Sequence, residues 1–347
     1  MQSTQQKSQR TRYLDIIRIL AMGAVIMIHT TSPLLRNSES GGGAYWVCLL
    51  LSNASRFAVP CFIMITGALY LREEKEYSIR QMLIKAGKDI LILYLWSLIY
   101  VVITICNTEK FNLKETLKSL LIGHYHLWYL FVLAGLYLTI PVLKKIVNKN
   151  NPQAAGWFLL LAILFQFTRP LLLFLGTYME NIPIRYLDRF HMEFFGCYAA
   201  YLLLGWYLTN VDLNAAQQKA VYLAGILGFL ISFAGMLLFK DQLENAAEIF
   251  CATESIHILA YAAAVFLFMK NRFEHRSTEN ACISILSRIS FGVYLIHPFF
   301  LDILYRNITF SNMILLALVH WSAAFLLSCV TAYLFFKIPI LKKTIVL

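Results

Sequence analysis

Apolar residues run along this chain in blocks of roughly twenty, separated by short polar segments. A helix needs about 20 consecutive apolar residues to cross the ~30 Å hydrocarbon core of a bilayer. Blocks of that kind fall near 13–35, 45–71, 82–106, 127–143, 155–176, 192–209, 218–239, 249–269, 283–304 and 311–336. The pattern predicts an all-α integral membrane protein with a bundle of about ten transmembrane helices. Residues 1–12 read as a polar cytoplasmic tail and 13–347 as one transmembrane domain. The first block follows basic residues, as a signal peptide would. Asp15 and Arg18 stand at its start, however, and no small-residue cleavage site follows, so it reads as a retained helix. There is no short-period repeat, and no inverted repeat of the kind many transporters carry.

Composition agrees with the pattern. Of 347 residues, 59% are hydrophobic and 14% charged, too apolar for a water-facing shell. A net charge of +11 would suggest nucleic acid as the partner of a soluble protein. In a membrane protein it reports loops on the cytoplasmic side, so no nucleic acid is expected. With the N-terminus inside, eighteen Lys and Arg fall in cytoplasmic segments and eight in outer loops, which places both termini in the cytoplasm and the chain in the plasma membrane. The seven cysteines are scattered without a C-x-x-C pair, and no disulfide framework or metal site is indicated.

An ionisable group at mid-membrane costs at least ~2.5–3.5 kcal/mol on insertion scales and needs a partner or a task. The first helix has three, Asp15, Arg18 and His29. Arg18 and His29 are three turns apart on one face, roughly 16 Å along the axis, and Asp15 can pair with Arg18. An interfacial anchor and a helix–helix hydrogen bond would also account for them. The outer halves of later spans hold Arg56, His126, Glu193, Glu254, His257 and His297. Glu254 and His257, three apart, are expected to share a helix face, as are Ser290, Tyr294 and His297. His126 and Glu193 sit where headgroups would wet them, whereas His29, Glu254 and His257 lie deeper and are expected to line a polar cavity. Arg18, Arg72, Lys75 and Arg288 are placed to meet at its cytoplasmic mouth, suiting a phosphate-bearing molecule, although each also fits the positive-inside bias.

The segment Tyr13-Leu-Asp-Ile-Ile-Arg18 through His29 resembles the opening signature of the acyltransferase-3 family of membrane acyltransferases. Arg56-Phe-Ala-Val-Pro through Thr66-Gly67 resembles its second-helix segment, with threonine where serine is more usual. His126-Leu-Trp-Tyr-Leu130, continuing to Pro141, resembles the fourth-helix motif. Gly205-Trp-Tyr-Leu208 and Ser290-Phe-Gly-Val-Tyr-Leu-Ile-His-Pro298 resemble two later ones.

The resemblance implies transfer of an acyl group, usually acetyl, from cytoplasmic acyl-CoA to a hydroxyl on a sugar or cell-envelope glycan outside. Acetyl-CoA is then a co-substrate. His29 matches the essential histidine and Arg18 its basic partner, with Arg72 weakly matching basic residues thought to meet CoA. A hydroxyl attacking a thioester needs a base, and imidazole suits that task. Glu254 could orient His29, or Glu254 and His257 could be the acid–base pair. Tyr294, Arg56 or a backbone amide could supply donors to the oxyanion. The acceptor is expected near Arg56, His126, Trp128, Glu193, Tyr294 and His297. The rival expectation is a small-solute transporter, such as the serine-uptake membrane domain of vancomycin-resistance serine racemases within the same family.

Overall fold

The computed structural model describes residues 12–37, 42–108, 112–243, 246–274 and 280–345. The expected N-terminal tail lies outside them, apart from Arg12. Helices account for nearly all regular structure among the described residues. They are α1 (Arg12–Asn37), α2 (Gly43–Ala54), α3 (Ala58–Tyr70), α4 (Ile79–Thr108), α5 (Leu113–Ile122) and α6 (Trp128–Leu143). There follow α7 (Gln153–Ala162), α8 (Arg169–Gly176), α9 (Ile182–Asp188), α10 (Cys197–Asn210), α11 (Ala215–Phe239) and α12 (Ala246–Phe250). The last four are α13 (Ile256–Phe273), α14 (Ala281–Asn307), α15 (Met313–Lys337) and α16 (Pro339–Ile345).

Local chemistry sets several starts. Asn214 and Gln217 form a reciprocal capping box at the head of α11, and the Asn280 and Asn312 side chains accept from the first backbone N–H groups of α14 and α15. A five-residue π-helical turn, Ile163–Phe167, joins α7 to α8.

Eight helical stretches among the described residues are long and apolar enough to cross a membrane: Arg12–Arg36, Gly43–Tyr70, Ile79–Asn107, Gln153–Gly176, Ala215–Phe239, Ile256–Phe273, Ala281–Asn307 and Met313–Lys337. The protein is an all-α, multi-pass membrane protein, which in a bacterium places it in the plasma membrane. The blocks expected at 127–143 and 192–209 are shorter helices, α6 with 16 residues and α10 with 14. At 1.5 Å per residue they reach about 24 and 21 Å, short of a full hydrocarbon core. Each is flanked by irregular backbone, at 123–127 and in the 3₁₀ turn Glu193–Phe195.

The outer surfaces of α4, α11 and α15 expose large apolar side chains such as Leu91, Leu98, Ile226, Leu230, Leu326 and Leu334. So wide an apolar surface suits the hydrocarbon of a bilayer. Inside, two large clusters and two smaller ones form the core of the described residues. One large cluster gathers Met64, Tyr201, Trp206 and Phe266 from α3, α10 and α13, and the other Leu93, Leu130, Val293 and Ile296 from α4, α6 and α14.

The α3–α10 crossing is very close. A Cβ on Gly67 would lie 1.9 Å from the Leu202 carbonyl oxygen, and one on Gly205 would lie 2.0 Å from that of Met64. Two glycines facing each other's backbone let the helices touch, a packing common in membranes. The central helix α1 packs against α3, α14 and α15, with Trp321 Nε1 donating to Gly23 O at 2.9 Å.

Candidate functional site

Between the two large core clusters runs a cavity of about 500 Å³. One end is cationic, lined by Arg18, Ser287, Arg288 and Lys342. The Asp15–Arg18 pair that the spacing predicts is formed. Arg18 Nη1 donates to Asp15 Oδ1 at 3.3 Å and to Ser287 Oγ at 2.8 Å, while Ser287 Oγ donates to the same Asp15 oxygen at 2.6 Å. This closed triangle ties α1 to α14 and fixes the guanidinium beside the cavity. Asp15 itself is buried and is not among the cavity-lining residues.

Arg72 and Lys75 are not among the cavity-lining residues. Because α3 ends at Tyr70, the chain has left the helix before either is reached. Arg72 Nε turns back to the Ala68 carbonyl at 3.1 Å, and Lys75 is exposed in the following turn. Lys342 stands at the mouth instead.

The other end of the cavity is lined by His29, His126, Trp128 and Tyr294. Ser290 and Tyr294 both face it, as their spacing on α14 predicts, and His297 is fully buried with its ring centroid 5.3 Å from that of His29. Pro298 explains how His297 is held. Lacking an N–H, it leaves the Tyr294 carbonyl without its helical donor. His297 Nδ1 donates to that oxygen at 2.7 Å. In the neutral ring Nε2 is then an acceptor, and it has no hydrogen-bond partner.

The Tyr294 hydroxyl donates to the His126 carbonyl, so it braces the turn before α6 and is not a free donor for an oxyanion. His126 is buried, 5.6 Å from His297 between ring centroids. Its Nδ1 lies 2.9 Å from Nδ1 of His124, so one proton serves both rings. Burial pushes His124 down to about 4 and His126 further below its ordinary value, neighbouring histidines adding to burial in the second case. Both are neutral at pH 7. Among the described residues no three of His, Cys, Asp or Glu are placed to hold a metal ion.

Other expected members of the site stand apart. Glu254 and His257 do not share a helix face, because α13 begins at Ile256 and Glu254 lies in the turn before it. Glu254 accepts from the Tyr198 hydroxyl, and Tyr198 in turn lies 6.2 Å from Trp128 between rings. His257 Nε2 donates to the Phe250 carbonyl at 2.9 Å. Neither lines the cavity, and the Glu254 carboxylate is engaged by Tyr198 rather than by His29. Arg56 is an electrostatic neighbour of His29 but donates to Ser52 Oγ at 3.3 Å and is likewise off the cavity wall. Glu193 is exposed in the 3₁₀ turn, 3.9 Å from the His191 ring. Thr66 and Tyr129, which the sequence places only inside family-like motifs, also line the cavity, as does Lys342, which in sequence is one more basic residue near the C-terminus. Asp89, ten residues beyond the start of α4, is buried with Oδ2 unpartnered. The lysines at 85 and 88 make that stretch read as a cytoplasmic segment.

Residues 11–337 match the family described as Acyltransferase domain. The chain belongs to the acyltransferase-3 family. It is similar to the probable poly-beta-1,6-N-acetyl-D-glucosamine export proteins of Staphylococcus aureus strains MSSA476, MRSA252 and Mu50. Each is 23% identical over 318 residues, covering 88% of this chain and 87% of the relative. No solved structure matches it. Within this acyltransferase-3 protein, the matched segment contains both ends of the cavity except for Lys342.

Proposed function

We propose that this protein moves an acyl group, in the simplest case acetyl, from cytoplasmic acyl-CoA to a hydroxyl of an extracytoplasmic glycan. One observation supports the reading most. A single cavity has cations at one end and His29 at the other, about 16 Å apart along α1 by helix rise. A phosphopantetheine arm can span that length, leaving the phosphates among Arg18 and Arg288 and the thioester near the imidazole. The excess of Lys and Arg in cytoplasmic segments sets the cationic end inward, where CoA is found.

The chemistry follows from the groups present. The acceptor hydroxyl oxygen attacks the thioester carbonyl while neutral His29 takes its proton. The tetrahedral adduct then collapses, the C–S bond breaks, and the thiolate receives the proton from the imidazolium. An ester and free CoA result, with no net proton released. Trp128 offers the acceptor sugar a ring face at the outer end. The relatives are named for a polymer of N-acetylglucosamine, which makes a hexosamine glycan the first acceptor to try.

The same name favours a second reading, export of the glycan. Purified protein given labelled acetyl-CoA and N-acetylglucosamine oligomers separates the two. His29→Ala is expected to lower CoA release at least 100-fold, within the range that a positioned general base supplies. Equal turnover by the variant would remove His29 from the chemistry. No turnover by the unmodified protein, with labelled oligomer crossing proteoliposomes, would establish export instead.

A further inference from the structure

The helix α16 lies beyond the family-matched residues 11–337 and is not an appendage. After α15 the chain turns at Ile338 and folds back under the bundle. Ile345 is fully buried and packs 3.1 Å from the space beside Gly292 on α14. The Trp96 indole of α4 donates to the Thr344 carbonyl at 3.4 Å. Anchored on two helices, α16 presents Lys342 to the cavity, with its ammonium 4.4 Å from the centroid of Phe336, which also lines the wall. Lys342 and Arg288 are both exposed at this mouth, beside the Asp15-bound Arg18. Among the described residues no carboxylate lines the cavity, so the mouth is a positively charged funnel.

We propose that α16 is part of the donor-binding site, with Lys342 contacting the phosphates of CoA. The inference rests on the acyl-CoA reading above. It also makes the segment after the family domain a determinant of donor affinity. Lys343 is the internal control, since it is exposed on the same helix, bears the same charge and does not line the cavity.

The test is CoA binding to the full chain in phosphatidylcholine nanodiscs, which hold no anionic headgroups to compete. Lys342→Gln is expected to weaken CoA about five- to tenfold, in keeping with loss of one charge-assisted contact. Lys343→Gln is expected to leave it unchanged, and Lys342→Arg to retain most of it. Equal affinity for Lys342→Gln and the unmodified protein would overturn the proposal. So would equal losses from the two Gln variants, which would mark a diffuse charge effect. Absence of CoA binding to the unmodified protein at any salt concentration would instead overturn the donor reading on which the proposal stands.

Discussion

At the His29 end of the cavity stand several imidazoles whose hydrogen bonds are set by their neighbours. His297 has its Nδ1 fixed by the Tyr294 carbonyl that Pro298 leaves open, and His124 shares a proton with His126. The sign of the resulting pH dependence follows from His124, which is held at about 4 against an ordinary value of 6.5. Above pH 6.5 the ring is neutral both folded and unfolded. As pH falls from 6.5 towards 4 the unfolded chain takes up the proton first, so stability declines across that window and this group adds no further loss below it. Thermal unfolding in detergent is expected to show that decline, shallower in His124→Gln. An unchanged slope in the variant would mean that His124 is not held neutral by the fold. The sequence pattern identifies His29, His126 and His297 individually, but their meeting depends on the turn at 123–127 and the proline in α14, which helical spacing does not encode.

At the scale of elements, the glycines in the family-like motifs acquire a physical reason. Gly67 and Gly205 face the backbone of the opposite helix at the α3–α10 crossing, leaving no room for a methyl group. Gly205→Ala is therefore expected to lower stability by about 1–3 kcal/mol or more through overpacking. Gly135→Ala on α6 is expected to have no such effect, since nothing stands within 4 Å of the added Cβ. Detergent melting curves check both, and a tolerant Gly205→Ala would refute the close crossing. Element boundaries also decide which parts of the site could be read in advance. The long apolar runs fix α1, α4, α11, α14 and α15. The apolar pattern continues, however, across breaks at Ser55–Phe57 and Cys251–Ser255, where the helices stop. The Glu254–His257 pairing fails for that reason, because i and i+3 are neighbours only inside a continuous helix. Lys342 is hidden in sequence by the opposite effect. It looks like one more cytoplasmic lysine, and only the fold-back of α16 brings it to the cavity.

For the whole molecule, the proposed acyl transfer depends on orientation, since it requires the cationic mouth to open to the side that holds CoA. Two native cysteines report on it directly. Cys106, near the end of α4, and Cys282, at the start of α14, are exposed, whereas the other five cysteines are buried. The helix α4 runs from Ile79 to Thr108 and α14 from Ala281 to Asn307. With both termini inside, as the distribution of Lys and Arg favours, α4 is expected to end outside and α14 to begin inside. A membrane-impermeant maleimide applied to intact cells is thus expected to label Cys106 and spare Cys282, with Cys282 reacting only after the membrane is opened. Cys282 begins the helix that holds Ser287 and Arg288, so it marks the same side as the cationic mouth. The reverse labelling would turn the funnel outward, away from cytoplasmic CoA. Transfer from that donor would then be impossible by this route, and the export reading would be favoured instead.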